Sequence, residues 1–324
     1  MSGEEQRAVP QRWRSNYLLH AGLFLATCFT TMWAGAWMVH PQLSFIRLDQ
    51  MLPVLLDGLP YSLSIMGILL AHEMGHYLMA RWHGVDASLP FFLPVPLPMA
   101  GTMGAVIVMR GRITSRSALV DWSAAGPLAG LVVAVPVLLY GVYLAPVAAA
   151  GPGLLEGNSL LYLTVKYLMK GQILPGNGMD IQLNHSPVAW AGWLGLLVTM
   201  INLMPIGQLD GGHVAFAYFG DRYERFSRWL HRLLPLLGLL VMLHVGLDLS
   251  PGVTVGERLA LALQAGFPWL LWGGLLQLFR RFSGGRYHPP VGTEPLTAGR
   301  RRLCVLMLVV FVLIFVPIPM RTVL

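Results

Sequence analysis

Seven apolar runs, each at least about seventeen residues and so long enough for a helix to cross a bilayer, dominate this chain of 324 residues. They fall at about 17–39, 58–82, 118–147, 187–210, 233–249, 258–279 and 303–319. With 55% hydrophobic residues, only 11% charged and a mean hydropathy of +0.61, an ordinary water-soluble protein is excluded. The expected fold is an all-α polytopic membrane protein of about seven transmembrane helices. The formal charge of +7 is not gathered into a basic face, so the lipid bilayer is a partner and nucleic acid is not. Cys28 and Cys304 each lie inside an apolar run and leave neither a disulfide framework nor a cysteine metal signature. The first run is too long for a secretory signal and lacks a small-residue cleavage pattern, so it reads as a retained helix.

Cationic residues set the expected orientation. Arg7, Arg12 and Arg14 precede the first run, Arg81, Arg110, Arg112 and Arg116 follow the second, Arg222, Arg225, Arg228 and Arg232 follow the fourth, and Arg280, Arg281, Arg286, Arg300, Arg301 and Arg302 follow the sixth. Only Arg47, Lys166, Lys170, Arg258 and Arg321 fall on the other side. A cytoplasmic N-terminus and an outside C-terminus satisfy the positive-inside rule at every loop. The domain reading is a cytoplasmic tail over 1–16, a membrane domain over 17–282 with its core at about 58–220, a Gly-, Pro- and Arg-rich linker over 283–302, and a final helix over 303–319 that reads as an appendage.

Two stretches break the helical pattern. Residues 85–115 hold Pro90, Pro94, Pro96 and Pro98, then Gly101, Gly104 and the run Ala105-Val106-Ile107-Val108. Prolines cannot donate inside a helix and β-branched residues favour strands, so this is expected to be a short membrane-associated β/loop segment whose backbone is paired or lines a wet cavity. Segment 148–186 is expected to lie along the outer membrane surface, with Lys166 and Lys170 on one helical face.

The chemistry sits in His72-Glu73-Met74-Gly75-His76. Residues four apart on a helix point the same way, so two imidazoles can grip one zinc with Glu73 beside them as general base. A catalytic zinc takes three protein ligands, and the third is expected at Asp210, within Asn202-Leu203-Met204-Pro205-Ile206-Gly207-Gln208-Leu209-Asp210-Gly211-Gly212. Pro205 and Gly207 loosen the helix there, and Gly211-Gly212 allows close backbone approach. Two unpaired acids in lipid cost about 6 kcal/mol, against about 10–16 kcal/mol for a bound structural zinc, so a metal outweighs the burial penalty. Counting the helical rise from His72 and His76 to Arg81 places the ion about 7–14 Å below the cytoplasmic edge.

These motifs extend into a wider resemblance. LLAHEMGHYLMARWHGV, SLPFFLPVP with GTMGAVI, AAGPLAG at 124–130 and NLMPIGQLDGGH at 202–213 together resemble the site-2 protease family of intramembrane zinc metalloproteases, over roughly 65–220. The likeness is greatest to bacterial and plastid members without PDZ or cystathionine-synthase-type domains. It implies one Zn2+ per chain on His72, His76 and Asp210, with Glu73 as the acid/base that activates water. It also implies a role for Asn202 in holding the substrate carbonyl, a helix–helix hydrogen bond being the alternative. Gly101, Gly104, Ala105, Val106 and Ile107 are implied as the strand edge that pairs with an unwound substrate helix. His213 reads as a supporting residue, and Gly126 and Gly130 as close helix contacts.

The function expected is cleavage of transmembrane segments of membrane proteins in regulated intramembrane proteolysis, on substrates first trimmed by another protease, in a bacterial cell membrane. A transporter or metal permease, which also places histidines and acids in lipid, is the alternative, as is a catalytically silent member of the same fold. The first should show repeated halves and the second missing ligands, and neither feature is found in the sequence.

Overall fold

The computed structural model describes residues 16–40, 48–109, 111, 113–149, 151, 153–183, 186–248, 252–282, 287–288 and 291–323. The tail expected over 1–16 lies outside the described residues save Asn16, as do Arg47, Arg110, Arg112 and Arg286.

Helices carry most of the chain, and several begin where the sequence supplies a start signal. The side chain of Asn16 accepts from the Leu19 amide and opens α1 (Tyr17–Val39). After α2 (Leu48–Leu56), Pro60 stands in the first turn of α3 (Leu59–Trp82). Ser115 caps α4 (Arg116–Leu144), Ser159 caps α5 (Leu160–Lys170), and Ser186 caps α6 (Pro187–Asn202). There follow α7 (Asp210–Phe219), a 3-10 turn at Gly220–Arg222, α8 (Tyr223–Asp248), α9 (Val255–Phe282) and α10 (Ala298–Ile314).

Among the described residues, four helical stretches are long and apolar enough to cross a membrane: Tyr17–Val39, Arg116–Leu144, Asp210–Asp248 and Val255–Phe282. The other expected spans differ for physical reasons. Helix α3 has 24 residues, but His72, Glu73 and His76 depress its hydropathy. Helices α6 and α10 are apolar but have only 16 and 17 residues.

The core is built where α4 lies between α3 and α6. Small residues bring these helices together: a Cβ on Gly75 would meet the Ala125 carbonyl oxygen at 2.5 Å, and one on Gly192 would meet Leu138 at 2.7 Å. Tyr61, Ile65, Leu138 and Trp193 are among the buried residues of this core.

The expected β/loop segment is a hairpin. Strands β1 (Phe91–Pro94) and β2 (Thr102–Val106) run antiparallel, pairing Phe91 with Val106, Phe92 with Ala105 and Pro94 with Thr102. Its turn is pinned into the helical body: Tyr61 Oη donates to the carbonyls of Met99 and Ala100 at 3.0 and 2.8 Å, and Trp190 Nε1 donates to Met99 O at 2.7 Å. The Met99 and Ala100 carbonyls are thereby satisfied, as apolar surroundings demand.

Three expectations are corrected. Lys166 does not lie on an exposed face with Lys170. It is fully buried, 2.8 Å from Asp180 and 3.5 Å from Glu156, while Tyr162 Oη donates to Glu156 at 2.9 Å. Those acids arrive on separate strands. Asp180 belongs to β5 (Met179–Ile181), which pairs with β3 (Val147–Ala149), and Glu156 to β4 (Gly153–Glu156), which pairs with β6 (Met320–Val323). Second, the run 187–210 is not one helix: α6 stops at Asn202, the chain turns through residues 203–209 with Gly207 at φ +67°, and Asp210 opens a new helix. Third, the C-terminal helix is no appendage. Arg300 on α10 grips Asp121 of α4 at 2.6 Å, Cys304 and Met307 are buried, and Trp269 Nε1 donates to Pro317 O at 2.7 Å.

Candidate metal centre

Helix α3 turns His72 and His76 to the same side, one turn apart, and both are buried together with Glu73. Asp210 reaches them as the first residue of α7, where a carboxylate also suits the positive end of the helix. His76 Nε2 lies 3.2 Å from His72 Nε2 and 3.2 Å from Asp210 Oδ2, and His72 Nε2 lies 3.4 Å from the same oxygen. Three ligands about 2.0–2.1 Å from a tetrahedral zinc stand about 3.3 Å apart, so this triangle has the dimensions such an ion requires. Among the described residues it is the one group of three or more His, Cys, Asp or Glu side chains that could hold a metal ion.

The surroundings orient the donors. His76 Nδ1 lies 3.0 Å from the Trp122 carbonyl, which can only accept, so the ring carries its proton there and presents the Nε2 lone pair to the triangle. The Trp122 indole packs 4.8 Å from the same imidazole. Helix α4 makes room for both rings with glycine: a Cβ on Gly126 would overlap the His76 imidazole, and one on Gly130 would come within 3.3 Å of His72. Sequence reasoning read these glycines as helix contacts. They do bring α4 close, and what they approach is the pair of imidazoles.

The loop before Asp210 is equally tight. Cβ atoms on Gly211 and Gly212 would strike the carbonyls of Leu203 and of Gly207 and Ile206, and Tyr223 Oη donates to Gly207 O at 2.9 Å. Asn202, the last residue of α6, brings Nδ2 to 3.4 Å from His72 Nε2, so it stands at the rim of the triangle. Glu73 is 8% exposed and next to His72 in the chain.

The implied substrate strand is placed less directly. Gly101, at φ +72°, is pressed against α1, where a Cβ would meet Thr30 O at 2.5 Å. Gly104, at φ +97°, faces open space, and Ala105 and Val106 follow it in β2, with Ile107 just beyond. β2 packs on α3 and α1, and among the described residues its edge away from β1 pairs with no strand. No hydrogen bond joins it to the triangle among those residues. His213 lies one turn beyond Asp210, with Nδ1 2.6 Å from His288 Nε2. Sequence reasoning missed His288, and no spacing or periodicity in a Gly- and Pro-rich stretch would have found it.

A family model described as peptidase family M50 matches residues 60–244. The chain belongs to peptidase family M50. This M50 chain is 36% identical over 176 residues to the probable zinc metalloprotease EGY2, chloroplastic, of Arabidopsis thaliana, covering 53% of the chain and 30% of that protein. It is 32% identical over 184 residues to the probable zinc metalloprotease EGY1, chloroplastic, of the same plant, covering 53% and 32%. The EGY2 protein of Oryza sativa subsp. indica is 30% identical over 239 residues, covering 72% and 41%. The chain thus spans less than half the length of these curated relatives. No solved structure matches it.

Proposed function

We propose that this M50 chain is an intramembrane zinc endopeptidase that hydrolyses peptide bonds within or beside the transmembrane segments of other membrane proteins. The observation that carries the reading is the buried triangle of His72, His76 and Asp210, sized for one zinc, with Glu73 beside it on a helix packed among apolar neighbours. When bound, zinc supplies a Lewis acid for the scissile carbonyl and the attacking water. Glu73 takes the proton of that water and returns it to the leaving amine. The Asn202 amide donates to the substrate carbonyl as negative charge develops, and the dry site strengthens this contact. The free edge of β2 offers backbone pairing to a substrate helix that has unwound, through Gly104, Ala105 and Val106, with Gly101 just before the strand and Ile107 just after it.

All seven apolar segments cross the bilayer in this reading, with the N-terminus in the cytoplasm and the C-terminus outside, as the arginine distribution supports. Chain 17–282 forms the protease domain, and the membrane is that of a bacterial cell. The substrates are membrane proteins already cut once by another protease, within regulated intramembrane proteolysis. The test is cleavage of a membrane-spanning substrate by purified protein. The account expects a zinc chelator to stop it and Glu73→Gln to abolish it in a folded protein that still holds zinc; continued cleavage by that variant contradicts it.

A further inference from the structure

Between α9 and α10, Tyr287 and His288 reach α7 and α8. Tyr287 and His288 are both buried between α7, α8 and α9. Glu224 Oε1 accepts from the Tyr287 amide at 2.8 Å and from the His288 amide at 3.4 Å, which fixes the backbone. Tyr287 Oη meets His231 Nδ1 at 2.8 Å, while the Arg280 guanidinium lies 4.8 Å from its ring. The His288 imidazole stacks on Phe216 of α7, with centroids 4.0 Å apart and planes 9° from parallel. So firm a mounting exceeds what a spacer requires.

The stacked ring is aimed at His213. His288 Nε2 lies 2.6 Å from His213 Nδ1 across 75 positions of chain. His213 also hydrogen-bonds the backbone of Gln208. At 2.6 Å the two ring nitrogens share one proton, the N–H of one imidazole donating to the lone pair of the other. Gln208 stands two residues before Asp210. On its other side the His213 ring meets the Trp122 indole edge-on at 5.3 Å, and the Trp122 carbonyl is the acceptor that orients His76. One imidazole therefore touches the supports of two of the three donors.

We propose that His288 is a positioning residue of the metal centre: its ring hydrogen bond fixes His213, and through it the turn that presents Asp210 and the side chain of Trp122, the residue whose backbone carbonyl orients His76. This rests on reading the triangle as a zinc site. Outer partners of metal ligands typically set affinity by tenfold or more, and His288 belongs to such a chain of partners.

The experiment is zinc retention by the purified full-length protein against a graded chelator, with thermal unfolding followed in parallel. His288→Phe keeps the stack on Phe216 and removes the hydrogen bond to His213, whereas His288→Gln keeps a side chain that can donate or accept and removes the ring. The expected result is a loss of zinc affinity of about tenfold in the Phe variant, with affinity near wild type in the Gln variant. Wild-type retention in the Phe variant overturns the proposal. Equal loss or unfolding in both variants also overturns it, since that marks the ring as packing alone. If the wild-type protein itself holds no zinc, the reading of the triangle fails instead.

Discussion

His76 fits its place because the facing position on α4 is glycine. A methyl group at Gly126 overlaps the imidazole, so Gly126→Ala must turn the ring away from the Trp122 carbonyl and out of line with His72 and Asp210. At Gly130 the same methyl stands 3.3 Å from His72, a tight contact that a shift of a few tenths of an ångström relieves. Chelator competition should therefore find zinc affinity lowered by about tenfold or more in Gly126→Ala and by clearly less in Gly130→Ala. Equal behaviour of the two variants would contradict this account of the pocket. Sequence made the donors themselves legible: four-residue spacing on a helix fixes His72 and His76, and an acid inside an apolar run marks Asp210. The glycines were visible but their target was not, because which neighbour a helix face meets depends on tertiary packing.

At the level of elements, the outer segment gives the clearest divergence between pattern and structure. Helical spacing puts Lys166 and Lys170 on one face, and an amphipathic helix on a membrane surface follows from that alone. What spacing omits is that Glu156 and Asp180 come from strands on either side of α5 and converge on Lys166, whereas Lys170 stays outside and donates to Tyr143 O at 2.8 Å. Removing one partner from a buried ionic cluster typically costs about 3–5 kcal/mol, so Lys166→Ala should lower unfolding stability by about that much, against under about 1 kcal/mol for Lys170→Ala.

The same cluster makes stability depend on pH. Burial pushes the Glu156 carboxyl above the usual carboxylate range, with the Lys166 ammonium opposing it. A carboxyl whose folded pKa is raised adds stability below its unfolded value of about 4.3 and loses it as pH rises through the folded value. Thermal stability should accordingly fall over that window in the wild type and fall less in Glu156→Gln. An unchanged slope in the variant would show that Glu156 does not contribute to it.

At the scale of the whole molecule the membrane character was legible, because it is a property of composition along the chain; the seven apolar runs correspond to four helical stretches among the described residues that are long and apolar enough to cross a membrane. The points where the chain changes direction were not legible. Hydropathy sees 187–210 as one run, yet Pro205 and Gly207 break it so that Asp210 begins a helix packed on α4, with its carboxylate at the α3 histidines. It sees the last apolar run as separate, yet Arg300 ties α10 to Asp121 and β6 pairs with β4. Both departures serve the same centre, since α7 carries one donor and α10 packs against α7. The most direct test of the centre is the zinc content of the purified full-length chain by elemental analysis. One zinc per chain is expected in the wild type and in Glu73→Gln, with loss of the ion in Asp210→Ala. A full complement of zinc in Asp210→Ala, or none in the wild type, would contradict the account.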